Sequence, residues 1–168
     1  MSTVDPKLDS AAAAMVGANA DFVVVGGFSV IANRFVRATE DIDFLVPDDD
    51  ENDLRVLAAL LELDGKRLRD GEPLEERHLL GQSHLRATTS AGIIDIIRGG
   101  LPPLDYGTVA KRAMRAEYDG VEFLVAGLSS IVGFKRLAGR PRDRNDLIGL
   151  EEIHGPLPEE PIPGLDDG

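Results

Sequence analysis

The chain has 168 residues, a net charge of −12, 43% apolar and 29% charged residues, and no cysteine. That length supports one domain with a sizeable core, and the composition is that of an ordinary globular protein. Disulfides and thiolate metal sites are excluded, no run approaches the ~20 apolar residues of a membrane span, and so acidic a surface disfavours non-specific nucleic-acid binding.

In chain order, Asp5-Pro6 supplies an N-cap and a first-turn proline, which predicts a helix over the Ala-rich residues 6–18. Residues 21–25 predict a buried strand that Gly26-Gly27 turns into a short helix over 28–35. Residues 41–46 predict a second strand, stopped by Pro47. Asp48-Asp49-Asp50-Glu51 then opens an amphipathic helix reaching about Leu63, with Leu54, Leu57, Leu60 and Leu61 on its apolar side. Capping, with acids at the positive helix end, accounts for the four carboxylates better than a metal site does. Residues 64–83 carry no clear pattern. Residues 84–89 and 92–98 predict two strands, Leu101-Pro-Pro a break, and 105–116 a helix. Residues 121–125 predict a strand after the Asp119-Gly120 turn, 128–138 a helix closed by Gly139-Arg140-Pro141, and 142–153 the last helix. The last thirteen residues hold four prolines, four acids and no base, which predicts a disordered tail over 156–168 after one domain over 1–155. The pattern is α/β (α+β), a mixed β-sheet with flanking helices. The lack of cysteine, and of a basic segment before an apolar run, leads us to expect a cytoplasmic protein without a signal peptide.

Strand parity puts Asp41, Asp43 and Leu45 on one face of the second strand and Ile42, Phe44 and Val46 on the other. The two aspartate alpha carbons then lie roughly two strand rises, ~6.6 Å, apart, and their carboxylates can converge on a hard cation such as magnesium. At Gly26-Gly27 a strand breaks into a helix, which leaves free N–H groups facing an anion, and glycine lets a phosphate approach closely. Ser29 could add a hydroxyl. Taken alone, the double glycine is more commonly a simple tight turn, and it gains force from the aspartate pair that follows. Asp95 sits among four isoleucines, where a carboxylate is costly unless it binds a cation or is paired, for instance with Arg98 or a helix arginine. A third carboxylate suits two metals about 3.5–4 Å apart. Residues 134–144 gather Lys135, Arg136, Arg140, Arg142 and Arg144 against Asp143, either a phosphate-facing segment or a solvated one. His78, His84 and His154 lack zinc spacing, and there is no nucleophile elbow or Walker lysine.

Together, Val24-Val25-Gly26-Gly27, the run from Arg37 to Val46, Ile94-Asp95-Ile96, and the segment from Leu128 through Lys135 and Arg140 to Asp143 and Asp146 cover roughly residues 20–150. At these residues the sequence resembles the DNA polymerase β-like nucleotidyltransferase superfamily. Within it, the chain is similar to small bacterial members that include abortive-infection and other toxin–antitoxin nucleotidyltransferases. The resemblance implies the nucleotidyltransferase fold, with Asp41 and Asp43 as metal ligands and Asp95 as a third carboxylate that also helps deprotonate the acceptor. It implies that Gly26 and Gly27 hold the triphosphate, that Lys135 contacts phosphate, and that Arg37 and Thr39 lie beside the site. Many members have Gly-Ser where this chain has Gly26-Gly27; its nearest serine is Ser29.

The implied activity is magnesium-dependent transfer of a nucleotidyl group from a nucleoside triphosphate, ATP among them, using one or two ions. The acceptor would be RNA, a protein or a small molecule. The implied setting is a toxin–antitoxin pair with an antitoxin as partner. No separate acceptor-binding domain is evident, so the acceptor would lie on this domain, another protomer or a partner. The alternatives are a non-catalytic binding module of the same fold and a metal-dependent phosphohydrolase.

Overall fold

The computed structural model describes residues 5–166. Helix α1 (Leu8–Gly17) leads to β1 (Val23–Val25), α2 (Gly26–Ala32), β2 (Asp41–Val46) and α3 (Asp50–Glu62). A short β3 (Lys66–Arg67) and a 3-10 turn at Glu76–His78 occupy the stretch that lacked a sequence pattern. Then come β4 (His84–Thr89), β5 (Gly92–Arg98), α4 (Tyr106–Lys111), β6 (Met114–Tyr118), β7 (Val121–Val125), α5 (Leu128–Ala138) and α6 (Pro141–His154). The seven strands form one mixed sheet in the order β3-β4-β5-β2-β1-β7-β6. β2 runs parallel to β5 and β1 parallel to β7, and the other pairs are antiparallel. The expected fold class is therefore observed.

Alternation along β1 and β2 divides the core in two. Val24, Ile42, Phe44, Val46, Ile94 and Ile96 face α1 and α3. Val23, Val25 and Leu45 face the opposite way, against Val30, Val109, Ile131 and Leu150 from the helices on that side. Asp41 and Asp43 share the parity of Leu45, so they emerge on this second face. The loop after α2 is pinned there too. Phe35 lies so close to Gly149 of α6 that a Cβ on that glycine would sit 2.4 Å from the ring, and His154 meets the Asn33 carbonyl at 2.8 Å. No described helix is long and apolar enough to cross a membrane.

Three expectations need correction. First, the helix expected over 105–116 stops at Lys111, and Met114–Tyr118 pairs with β7 as a hairpin. Asp119 and Gly120 both take positive φ (51° and 79°), as a tight two-residue turn requires, and strand pairing overrides the helix-like local sequence. Second, α3 is rotated. Leu57 and Leu60 are buried with Val56 and Ala59, but Leu54 and Leu61 are 45% and 47% exposed. Polar anchors set that rotation. Asn52 brackets the Asp21 backbone, accepting from its N–H at 2.7 Å and donating to its carbonyl at 3.0 Å, and buried Asp53 pairs with Arg98. Asp49 caps the helix by accepting from the Glu51 and Asn52 amides, as expected of the acid run.

Third, the segment expected to be a disordered tail is laid against the domain as far as it is described. Ile162 is buried, with its Cδ1 beside Gly133 of α5, and its N–H donates to Asp166 at 2.8 Å. Arg136 holds Asp166 at 2.9 Å, and Arg112 pairs with Glu160. Residues 1–4 of the expected domain and 167–168 of the expected tail lie outside the described residues.

Arg98 is the sole guanidinium on Asp53 among the described residues, and burial already pushes the Asp53 carboxyl above its usual range while Arg98 opposes that rise. Arg98→Met would strand a buried charge, so a loss of about 3–5 kcal/mol is expected in urea unfolding. A midpoint shift within about 0.5 kcal/mol of the parent would show the pair to be dispensable.

Candidate active site

The site grows out of strand register. In the parallel β2–β5 pair Asp43 stands opposite Asp95, and in the antiparallel β1–β2 pair Asp43 stands opposite Val25, next to Gly26. Gly26 takes φ +66°, and a Cβ there would lie 1.9 Å from the Asp43 carboxylate. A Cβ on Gly27 would lie 2.4 Å from Thr39 Oγ1 and 3.2 Å from an Arg37 nitrogen. The double glycine is thus required for the strand to turn past the carboxylates at all. What it leaves open is a cavity of about 550 Å³, lined among others by Gly26, Gly27, Asp41, Asp43, Lys135 and Arg140. That volume is within the range of small-ligand pockets.

The carboxylates are strongly coupled. Burial raises the Asp43 carboxyl to about 7, helped by a hydrogen bond with Asp95 and the charges of Asp95 and Asp41, against an opposing effect of Lys135. Arg86 of β4 donates from Nε to Asp95 at 2.7 Å and from Nη2 to Asp41 at 3.0 Å. His84 Nε2 lies 3.5 Å from Asp95. Asp95 is thus paired with Arg86; Arg98, the pairing candidate suggested by the sequence, goes to Asp53. Among the described residues no three Asp, Glu, His or Cys side chains are already gathered as a metal cage. The donor set nonetheless fits a divalent cation. It offers three carboxylates as hard oxygen ligands, and one of them binds a proton unusually tightly because it is buried and next to the other two carboxylates.

The cationic wall is likewise held by acids. Lys135 is buried in α5, with Nζ 3.1 Å from Asp143 and 2.9 Å from Asp146. Arg37 grips both oxygens of Asp146 at 2.7 and 2.9 Å, and Arg140 reaches Asp143 at 2.7 Å. Burial acts to raise Asp143, but Arg140 and Lys135 outweigh it and hold the carboxyl at about 2. Asp146 is lowered in the same way, its burial outweighed by Arg37 and Lys135. The Ser29 hydroxyl donates to the Gly26 carbonyl at 2.6 Å, and Thr39 Oγ1 to the Asp41 carbonyl at 3.2 Å, so both brace the cradle's backbone. All nine residues singled out from the sequence therefore fall in one region. The sequence reading missed Arg86 and His84, and the ion-pairing parts of Asp143 and Asp146. Alternation of exposed His84, Arg86 and Thr88 in β4 was the available signal.

Several solved structures resemble this fold, two of them of one protein. One is the solution structure of the antibiotic-resistance factor ANT(2″)-Ia, with a TM-score of 0.60 at 15% identity over 88% of this chain and 82% of that one. The other is ANT(2″)-Ia crystallised with adenylyl-2″-tobramycin, with a TM-score of 0.59 at 14% identity over 88% and 87%. No curated protein sequence shows a significant match. Residues 6–153 match the sequence family described as nucleotidyltransferase of unknown function (DUF6036), and the chain belongs to that nucleotidyltransferase family.

Proposed function

We propose that the chain binds a nucleoside triphosphate in the cavity between Gly26-Gly27 and Lys135, and transfers its nucleotidyl group to an acceptor hydroxyl with the help of magnesium. The observation that carries this reading is the Asp43–Asp95 pair, placed in register beside a glycine turn that no side chain can enter. Asp41, Asp43 and Asp95 would hold the metal, which when bound supplies positive charge at the phosphates. Gly26 and Gly27 admit the triphosphate to the backbone, and Lys135, Arg37 and Arg140 give that wall its positive potential. The acceptor oxygen forms a bond to the α-phosphorus, the bond to pyrophosphate breaks, and the hydroxyl proton passes to the Asp43–Asp95 carboxylate pair. Positioning and charge supply the acceleration.

A toxin role and an antitoxin partner rest on the sequence resemblance alone.

The test is calorimetric titration of ATP, GTP, CTP and UTP with and without magnesium. At least one triphosphate is expected to bind, more tightly with the metal. Asp41→Asn, which removes the charge of one metal-binding carboxylate at a partly exposed position without changing its shape, should weaken the magnesium-dependent binding while retaining its circular dichroism. Absence of binding by all four, or unchanged magnesium-dependent binding in a folded Asp41→Asn, overturns the reading.

A further inference from the structure

A second cavity, of about 570 Å³, opens beyond the carboxylates and is lined by Arg67, Arg69, Arg77, His78, His84 and Arg86, with no acid among its lining residues. This cationic concentration is unexpected in a chain of net charge −12. We propose that it anchors the phosphate of a small phosphorylated acceptor, whose hydroxyl is presented to Asp95. The inference rests on the nucleotidyl-transfer reading and names the acceptor's chemical class.

Sheet order supplies the first argument. From β1 to β4 the strands on this face carry the glycine cradle, Asp41 and Asp43, Asp95, then His84 and Arg86, while Arg67 of β3 stands opposite Ala87, one residue out of that row, and also lines the cavity. Arg86 stands opposite Asp95 in register and bonds to it, so the cationic cavity begins where the carboxylates end. The donor cradle adjoins Asp43 on the other side. A donor and an acceptor would thus approach the carboxylates from opposite sides, as a displacement at phosphorus needs.

Unused polar capacity supplies the second. Arg67 pairs with Asp70, Arg77 with Glu72 and Glu75, and Arg86 with Asp41 and Asp95. The exposed Arg69 side chain has no hydrogen bond or ion pair among the described residues. His78 is 5% exposed, and its Nδ1 accepts the Glu75 N–H at 3.0 Å, which leaves the proton of the neutral ring on Nε2. That buried Nε2 makes no hydrogen bond and lies 3.5 Å from the nearest Glu72 oxygen. Buried donors without acceptors are uncommon, and a phosphate oxygen would satisfy this one. The size of the acceptor follows from the surroundings. Asp70, Glu72 and Glu75 rim the cavity, so no basic track continues outward to follow a nucleic-acid backbone.

The experiment is an NMR titration of the isotope-labelled full chain with ribose 5-phosphate, with ribose, with a 5′-phosphorylated ten-nucleotide RNA, and separately with magnesium-ATP. Ribose 5-phosphate is expected to shift the amides around Arg69, His78 and His84 saturably, and ribose is not. Arg69→Ala should weaken ribose 5-phosphate about tenfold, as loss of a charged hydrogen-bonding group does. Equal response to ribose, shifts confined to Gly26 and Gly27, no response to ribose 5-phosphate, an unchanged affinity in Arg69→Ala, or binding of the RNA alone would each overturn the proposal. Magnesium-ATP reports separately at Gly26 and Gly27. Shifts there without a ribose 5-phosphate site would sink the acceptor class and leave the transfer reading standing. Their absence would sink the transfer reading itself.

Discussion

Asp43→Asn should lower nucleotidyl transfer by roughly 10²–10³-fold while raising the melting temperature at pH 8. The two effects share one cause. Asp43 ionises at about 7 in the folded chain against an ordinary value of 3.8, so the folded state holds that proton far more tightly than the unfolded state does. For such a group the stabilisation is complete below about pH 4 and is lost as the pH climbs through 7. Above that, the ionised carboxylate costs on the order of 4 kcal/mol, taking about 1.4 kcal/mol per pH unit. Asparagine has nearly the same shape and can keep a hydrogen bond to Asp95, but it never ionises. A gain on the order of 10 °C is therefore expected at pH 8, shrinking to nothing near pH 4. Differential scanning calorimetry at the two pH values reads the stability, and release of pyrophosphate reads the activity. A variant less stable than the parent at pH 8 would show that the charge crowding is already neutralised. Full activity in the variant would remove Asp43 from the chemistry.

The carboxylate row was legible in the sequence because strand parity is local. Once residues 41–46 form a strand, Asp41 and Asp43 must share a face, and four flanking isoleucines mark Asp95 as a charge needing a partner. What faces Asp95 was not legible. Both Arg98, three residues away in the same strand, and Arg86, in a neighbouring strand, were available. Only the β2-β5-β4 order decides that Arg86 spans Asp95 and Asp41 while Arg98 turns to Asp53 on α3. The rotation of α3 failed for a related reason. Leucine spacing is local information, but Asn52 and Asp53 obtain their partners from Asp21 and Arg98, dozens of residues away. In the C-terminal segment, acids and prolines outweigh the one isoleucine, Ile162, that finds a seat on α5. In each case the missing information was a long-range partner, which no window of local sequence contains.

The same principle makes Lys135 more than the phosphate contact its position suggests. Lys135→Met is expected to destabilise the fold by about 3 kcal/mol as well as weaken triphosphate binding. Asp143 and Asp146 are 0% and 2% exposed, and Lys135 is the only cation that touches both among the described residues. Loss of the only partner of a buried charge costs about 3–5 kcal/mol, and the lower end applies because Arg140 and Arg37 remain. Acid sensitivity should move as well. Asp143 is held at about 2 against its ordinary 3.8, so its contribution of about 2 kcal/mol is present above pH 4 and lost as the pH falls through 2. Without Lys135 that loss begins at higher pH, and acid unfolding should start earlier. Adding Asp146→Asn to Lys135→Met removes the stranded charge, and the double variant should regain part of the stability although triphosphate binding stays weak. A lysine serving phosphate alone would show none of this: binding would fall, and the urea midpoint of both variants would stay at the parent value.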